Sequence, residues 1–486
     1  HPSRWWSHRQ NSTAWAWGLA VLCVVLLGMR QSFLLRGTGG MSPTQFAVVC
    51  ALAIVVCGVL FGNDALPRPQ AAMAVIVAAV AISTLITYSA AAARGIPAPE
   101  LLYVDHTLFA RFIGIAIVVL TAFVIRTQRA VVIVLRGAVI AGVVSALYAL
   151  VQVGAGIDLA PLVRVPGLLK ADTTTLVTDL MRAGSVRPQG AAGHPLELSA
   201  VLTVLLPIAA GVAFDAHARR ERWWPWALAC LMIALGALGT LSRSAVVGMA
   251  ISLAILACVS PIRRTIVVAV TGACVVGLAL LFRIPMIEQL FQVITGGSQD
   301  NSLGSRAFGA QYVGVHFTDH LWFGQGIGTY NIAEQPVLDN EYLGRLMEGG
   351  ITGLAGYIML LVLGIGSAAV ATFRAFRRSD RAFTDLAASV VAALAALARN
   401  GAAEPGMLGR IGLAPADMPT SADTPARLAF CAISKLTRLV ISRKPSAGEA
   451  LARVIAPITL SRALWRPTSS RTMRNAPSMP HQAAAW

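Results

Sequence analysis

Ten times along this chain an apolar run of roughly 20 residues recurs, the length an α-helix needs to cross the hydrocarbon of a bilayer. The runs are Ala14–Met29, Gln45–Phe61, Ala71–Tyr88, Leu108–Ile125, Val131–Val153, Pro195–Phe214, Trp223–Leu241, Ala245–Val259, Thr265–Phe282 and Ile351–Phe373. No other feature restricts the fold so tightly. Lipid offers a backbone N–H or C=O no partner, so segments like these must be helices whose hydrogen bonds close internally. An eleventh run, Ala382–Ala398, is Ala-rich and holds Asp385, and reads either as a short span or as an interfacial helix. The predicted fold is therefore all-α, a polytopic membrane protein with about 10–11 transmembrane helices.

Composition agrees. With 56% hydrophobic and 13% charged residues, the chain lies outside the soluble globular range. Its formal net charge of +17 would suggest nucleic acid in a soluble protein, but here the basic residues sit largely in short loops beside apolar segments, where they set topology. No nucleic-acid partner is expected; membrane lipids are. The cysteines lie mostly within apolar runs and form no CxxC, so they read as small buried hydrophobes without a disulfide framework. The chain opens on His1, which points to residues upstream. The first run has no small-residue cleavage site behind it and is expected to stay as a span.

Basic residues in short loops orient the bundle. With the N-terminus cytoplasmic, loops carrying Arg68, Arg126 with Arg129, Arg219 with Arg220 and Arg222, Arg263 with Arg264, and Arg374 with Arg377, Arg378 and Arg381 all fall inside. The protein is then expected in the cell (inner or plasma) membrane. Residues 1–282 form nine spans with short loops and one longer outer loop at 154–194. Residues 283–350 are expected to form a large extracytoplasmic catalytic loop, 351–398 the last one or two spans, and 399–486 a basic, disordered tail.

The outer loop of 283–350 is long and polar for a chain this apolar, and long loops of that kind are functional or disordered. Three arginines, Arg187, Arg243 and Arg306, lie outside against the topological trend. Arg243 occupies a very short turn between two spans, Leu241-Ser242-Arg243-Ser244, that holds its guanidinium at the membrane surface. The forked, always-charged donors of such a group suit a diphosphate, or equally a lipid headgroup phosphate. Pro195 suits a first helical turn, which leaves His194 as the cap of the sixth span or as a base. Glu197 follows one turn in. If 338–347 is helical, Asp339, Tyr342 and Leu346 share one face, and Glu341, Arg345 and Glu348 another. That arrangement serves either proton abstraction or a solvated helix capped by Asp339 with Glu341–Arg345 support. Gly324, Gly326 and Gly328 lack a βαβ setting and read as a tight turn back to the membrane. His316 and His320 find no third ligand in the sequence, and neither a metal nor a cofactor is expected.

Taken in order, Arg187 with Gly190 and His194-Pro195, Leu241-Ser242-Arg243, Gly304-Ser305-Arg306, Phe323-Gly324-Gln325-Gly326, and Asp339-Asn340-Glu341-Tyr342-Leu343 through Glu348-Gly349-Gly350-Ile351 resemble the O-antigen ligase and polymerase family, over roughly Ala14–Phe373. The resemblance implies a membrane glycosyltransferase of cell-surface polysaccharide assembly. Its donor would be a polyprenyl-diphosphate-linked glycan and its acceptor a glycan or a lipid. It also implies that Arg243 and Arg306 hold the diphosphate with Arg187 beside them, and that Asp339 orients or deprotonates the acceptor hydroxyl with Asn340, His194 and Glu348 nearby. Many ligases carry a histidine at the Asp339 position, and this chain departs there. The alternative is a transporter or flippase of an anionic lipid-linked glycan using the same arginines. Transporters tend to show internal repeats and broken spans at mid-membrane, and neither is clear in this sequence.

Overall fold

The computed structural model describes residues 2–30, 33–38, 40–61, 71–125, 127–163, 165–171, 181–182, 185–261, 264–266, 301–330, 335–338 and 340–401. The chain divides into two units, His1–Cys431 and Ala432–Trp486, and every described residue belongs to the first. Asp339, nearly all of the ninth expected span and the tail beyond Gly401 lie outside the described residues.

The regular elements are almost all helices: α1 (Pro2–Gly28), α2 (Pro43–Phe61), α3 (Ala71–Ala93), α4 (Ala98–Val124), α5 (Gln128–Ala155), α6 (Pro195–Ala218), α7 (Trp224–Gly239), α8 (Arg243–Val259), α9 (Asn301–His316), α10 (Glu341–Arg377) and α11 (Arg381–Gly401). Two short antiparallel ribbons complete them, β1 (Phe33–Leu35) with β2 (Leu169–Ala171) and β3 (Met181–Arg182) with β4 (Ser185–Val186). Among the described residues, α3, α4, α5, α6, α10 and α11 are long and apolar enough to cross a membrane. Thr13–Gly28, Pro43–Cys57, α7 and α8 are shorter apolar helices at the other expected positions. The protein is a multi-pass, all-helical membrane protein.

The helix α6 sits at the centre, packed against α5, α7, α8 and α11. Val139, Ala146, Leu202, Ile233 and Leu386 meet there in one buried cluster. The eleventh run settles its ambiguity: α11 packs on α6, α8 and α10 with over half of its apolar window buried in the bundle, so it is a bundle helix and not an interfacial one. Its Asp385 is no obstacle. The carboxylate pairs with Arg264 at 2.7 Å, and that guanidinium lies 4.4 Å over the Phe214 ring. By contrast α3 and α10 are little buried, and Ile82 and Val362 project outward as lipid-facing residues do. The expectation of buried cysteines fails at Cys57 and Cys258, which are exposed on the outer faces of their helices. An apolar solvent rewards a thiol there as well as inside, so apolar context cannot separate the two.

Helices with no hydrophobic drive between them approach through small residues. A Cβ at Gly137 of α5 would lie 2.6 Å from the Ala20 Cα of α1. At Gly236 of α7 it would lie 2.8 Å from the Ala146 Cβ of α5, and at Gly356 of α10, 2.7 Å from the Ser83 hydroxyl of α3.

Polar contacts gather at the two ends of the bundle. At one end Arg136 pairs with Glu221, Gln128 with Asp380 and Arg264 with Asp385. At the other lie the contacts of Arg30, Arg94 and Arg187 described below.

The Gly137–Ala20 contact predicts that Gly137→Val separates α1 from α5, at a cost of about 1–3 kcal/mol for overpacking against backbone. Its melting temperature in detergent should fall by several degrees. Gly154→Val, on the same helix but facing open space, should melt with the wild type.

Candidate functional site

Local sequence builds the entry to α6. Pro195 starts the helix, and the Nδ1 of His194 accepts from the Leu196 N–H at 3.1 Å, so His194 is a cap. Glu197 folds back so that its carboxylate accepts from the Gly193 N–H at 3.0 Å. The strand of chain before it is pinned from behind by buried polar groups. Gln152 of α5 accepts from the N–H groups of Gln189 and Gly190, both at 3.2 Å. Arg30, just past α1 and 6% exposed, pairs with Asp158 at 2.6 Å and reaches the Gly190 carbonyl at 3.4 Å. Gly190 has φ +55°, a left-handed turn with the Ser145 carbonyl and Tyr148 close by.

Held this way, Arg187 donates through Nε to the Thr240 carbonyl at 3.2 Å. Thr240 closes α7. Three residues on, Arg243 opens α8 after Leu241, whose φ of +51° makes the reversal tight, while the hydroxyls of Ser242 and Ser244 share a 2.7 Å hydrogen bond. Two arginine-bearing segments far apart in sequence therefore meet at one helix end.

A second cluster carries the remaining residues. Arg306 lies on α9, which packs through Ala310 and Val313 against Leu343, Leu346 and Met347 of α10. Tyr330 joins that cluster. Burial, and then the neighbouring Tyr312, push its hydroxyl up to about 12, and it donates to the Pro336 carbonyl at 2.6 Å. Asn340, not Asp339, caps α10: its side-chain oxygen accepts from the Tyr342 N–H at 2.9 Å. A cap one residue later starts the helix at Glu341. Glu341 and Arg345 pair as the spacing implied, and Glu348 lies 3.9 Å from the same guanidinium.

The long helix α10 is not continuous. Gly350 has φ 59° and ψ −157°, which breaks it into Glu341–Gly349 and the span that follows. The three-glycine stretch does more than turn back to the membrane. Gly324, Gly326 and Gly328 all have positive φ, and the loop lies along the break. The N–H groups of Gln325 and Gly326 donate to the carbonyls of Met347 and Glu348, at 2.8 and 2.9 Å. Ile351 and Thr352 donate in turn to Leu321 and Trp322. Glu348 accepts from the Gly328 N–H at 3.2 Å, so its carboxylate helps hold the loop. Arg94, at the end of α3, donates to the Gln325 carbonyl. Arg111, from within α4, is close enough for its charge to act on Glu341 and Glu348.

Sequence reasoning missed Arg30, Arg94 and Arg111. A signal was present: Arg111 interrupts an apolar run, and ionisable groups at that position face a partner or a cavity. His316 turns its Nδ1 to the Tyr312 carbonyl at 2.9 Å, occupied within its own helix.

A Cβ at Gly326 would lie 2.6 Å from the Ala91 Cα, on a backbone at φ +106°. Gly326→Ala should detach the loop from α3, read as a lower melting temperature and faster proteolysis within 317–338. Gly344→Ala, on α10 with nothing near its Cβ position, should do the reverse and stabilise by up to about 1 kcal/mol through helix propensity.

A comparison with curated proteins finds no match for the chain. The family model for the O-antigen ligase matches residues 227–358, which run from α7 through the Arg243 turn, α9 and the glycine loop to just beyond the Gly350 break. Over that stretch, about a quarter of its length, the chain is similar to the O-antigen ligase domain.

Proposed function

We propose that the protein is a metal-independent glycosyltransferase using a polyprenyl-diphosphate-linked glycan on the extracytoplasmic face, with its N-terminus in the cytoplasm. The family implies transfer of a lipid-linked glycan in surface polysaccharide assembly. The observation that carries the finer reading is the Arg187–Thr240 hydrogen bond, which seats one outer arginine against the turn that bears another.

In this reading the acceptor hydroxyl oxygen attacks the anomeric carbon of the donor sugar. The bond from that carbon to the diphosphate oxygen breaks, and the polyprenyl diphosphate leaves with the electron pair. Arg243 and Arg306, supported by Arg187, meet the negative charge as it develops on the leaving diphosphate, a role that fixed guanidinium donors fill well in a low-dielectric site. The hydroxyl proton passes to Asp339, which adjoins the capped start of α10. His194 and Asn340 have a ring nitrogen and an oxygen committed to helix caps, and Glu348 to the glycine loop, so these three position backbone around the substrate. The acceptor is a glycan or a lipid.

Purified protein given a polyprenyl-diphosphate-linked oligosaccharide should transfer it with EDTA present. Arg243→Ala and Asp339→Ala should each lose at least about 100-fold, the scale on which removing one transition-state donor acts. Product length then separates polymerisation from single transfer. Binding of donor without transfer, abolished by Arg243→Ala, would replace the enzyme reading with that of a transporter.

A further inference from the structure

We propose that Asn400 is a further substrate-contacting residue, one that recognises the junction of sugar and diphosphate on the lipid-linked donor; this rests on the function proposed above. Both polar atoms of its side chain are buried and neither has a hydrogen-bond partner. A sealed amide with no partner forfeits its hydration at both ends, a cost that a bound ligand would recover. The residue as a whole is only half-buried, so the amide is turned inward at a position that also borders solvent.

Its surroundings point to a ligand. The Oδ1 lies 2.9 Å and the Nδ2 3.4 Å from where a Cβ on Gly248 would be, in a gap that also receives the Thr203 methyl group. Gly248 is on α8, little more than a turn from Arg243. One turn nearer the start of α6 than Thr203, the hydroxyl of Ser199 is also without a partner, and Ser199 is 1% exposed. The other side of the α11 end faces the start of α10. The Tyr342 hydroxyl donates to the Ala398 carbonyl at 2.9 Å, and Gly401 abuts the Tyr342 ring.

Asn400 thus stands between the helix that Arg243 opens and the turn that Asn340 caps. An amide offers one acceptor and two donors. A bare diphosphate can use only the donors, whereas a sugar phosphate presents phosphate oxygens to accept and hydroxyls to donate. To meet the donor, the amide leaves Gly248 for a second side-chain rotamer.

Donor binding and transfer by Asn400→Leu and Asn400→Ala, alongside melting temperature, test this with two probes: a polyprenyl-diphosphate-linked oligosaccharide and the sugar-free polyprenyl diphosphate. The expected result is at least a tenfold weaker Kd for the glycan-bearing donor, a smaller change for the sugar-free one, reduced transfer, and a melting temperature equal to or above the wild type. Unchanged affinity for the glycan-bearing donor overturns the proposal. So does a loss of affinity matched by a drop in melting temperature in both variants, which assigns Asn400 to packing. If the wild type binds donor but transfers nothing, the glycosyl-transfer reading falls, and the binding comparison still decides Asn400.

Discussion

Breaking a helix inside an apolar bundle frees backbone groups that lipid cannot satisfy, and the pairing of residues 321–328 with the break at Gly350 answers that constraint. Four backbone hydrogen bonds run between the two segments, from Gln325, Gly326, Ile351 and Thr352. Each needs the chains closer than side chains allow. A Cβ on Gly350 would lie 2.6 Å from the Gly324 nitrogen. Irregular backbone near a membrane persists where protein takes over its hydrogen bonds, and here the loop takes them over, with Arg94 and the Glu348 carboxylate closing its far side. The start of α10, with Asn340, Glu341 and Arg345, is aimed by this joint and not by the span below it.

Charge is placed with the same economy. At one end of the bundle, arginines meet acids from neighbouring helices, as Arg264 does Asp385 and Arg136 does Glu221. At the other end Arg187 and Arg94 donate to the carbonyls of Thr240 and Gln325, while Arg30 pairs with Asp158 and Arg345 with Glu341. A carbonyl fixes a guanidinium without cancelling its charge.

The helices were legible because length and hydropathy are local properties and lipid admits few alternatives. Ala382–Ala398 was ambiguous in sequence because the partner of Asp385 is Arg264, more than a hundred residues earlier. His194 was legible as a cap because Pro195 beside it announces the first turn. Asp339 and Asn340 are both good caps, and nothing local chooses between them; packing of Leu343, Leu346 and Met347 on α9 sets the phase of the helix and makes Asn340 the cap. The glycine triplet showed that the chain turns, but its docking on α3 and α10 depends on residues that periodicity cannot relate to it. Arg30 and Gln152 stayed invisible for the same reason, since each acts on backbone more than thirty residues away.

The position of α11 bears on how the molecule is made. Translation delivers α6 and α8 early, yet the face on which Thr203 and Gly248 lie is completed only when α11 arrives beside them. Until then two helices in the bilayer present small and hydroxyl-bearing residues to lipid, a surface that attracts other helices bearing small residues. A ribosome that stalls before α11 would leave an inserted chain with an open flank, prone to mispairing and to quality-control proteolysis. The flank on which Thr203 and Gly248 lie closes only once α11 is in place.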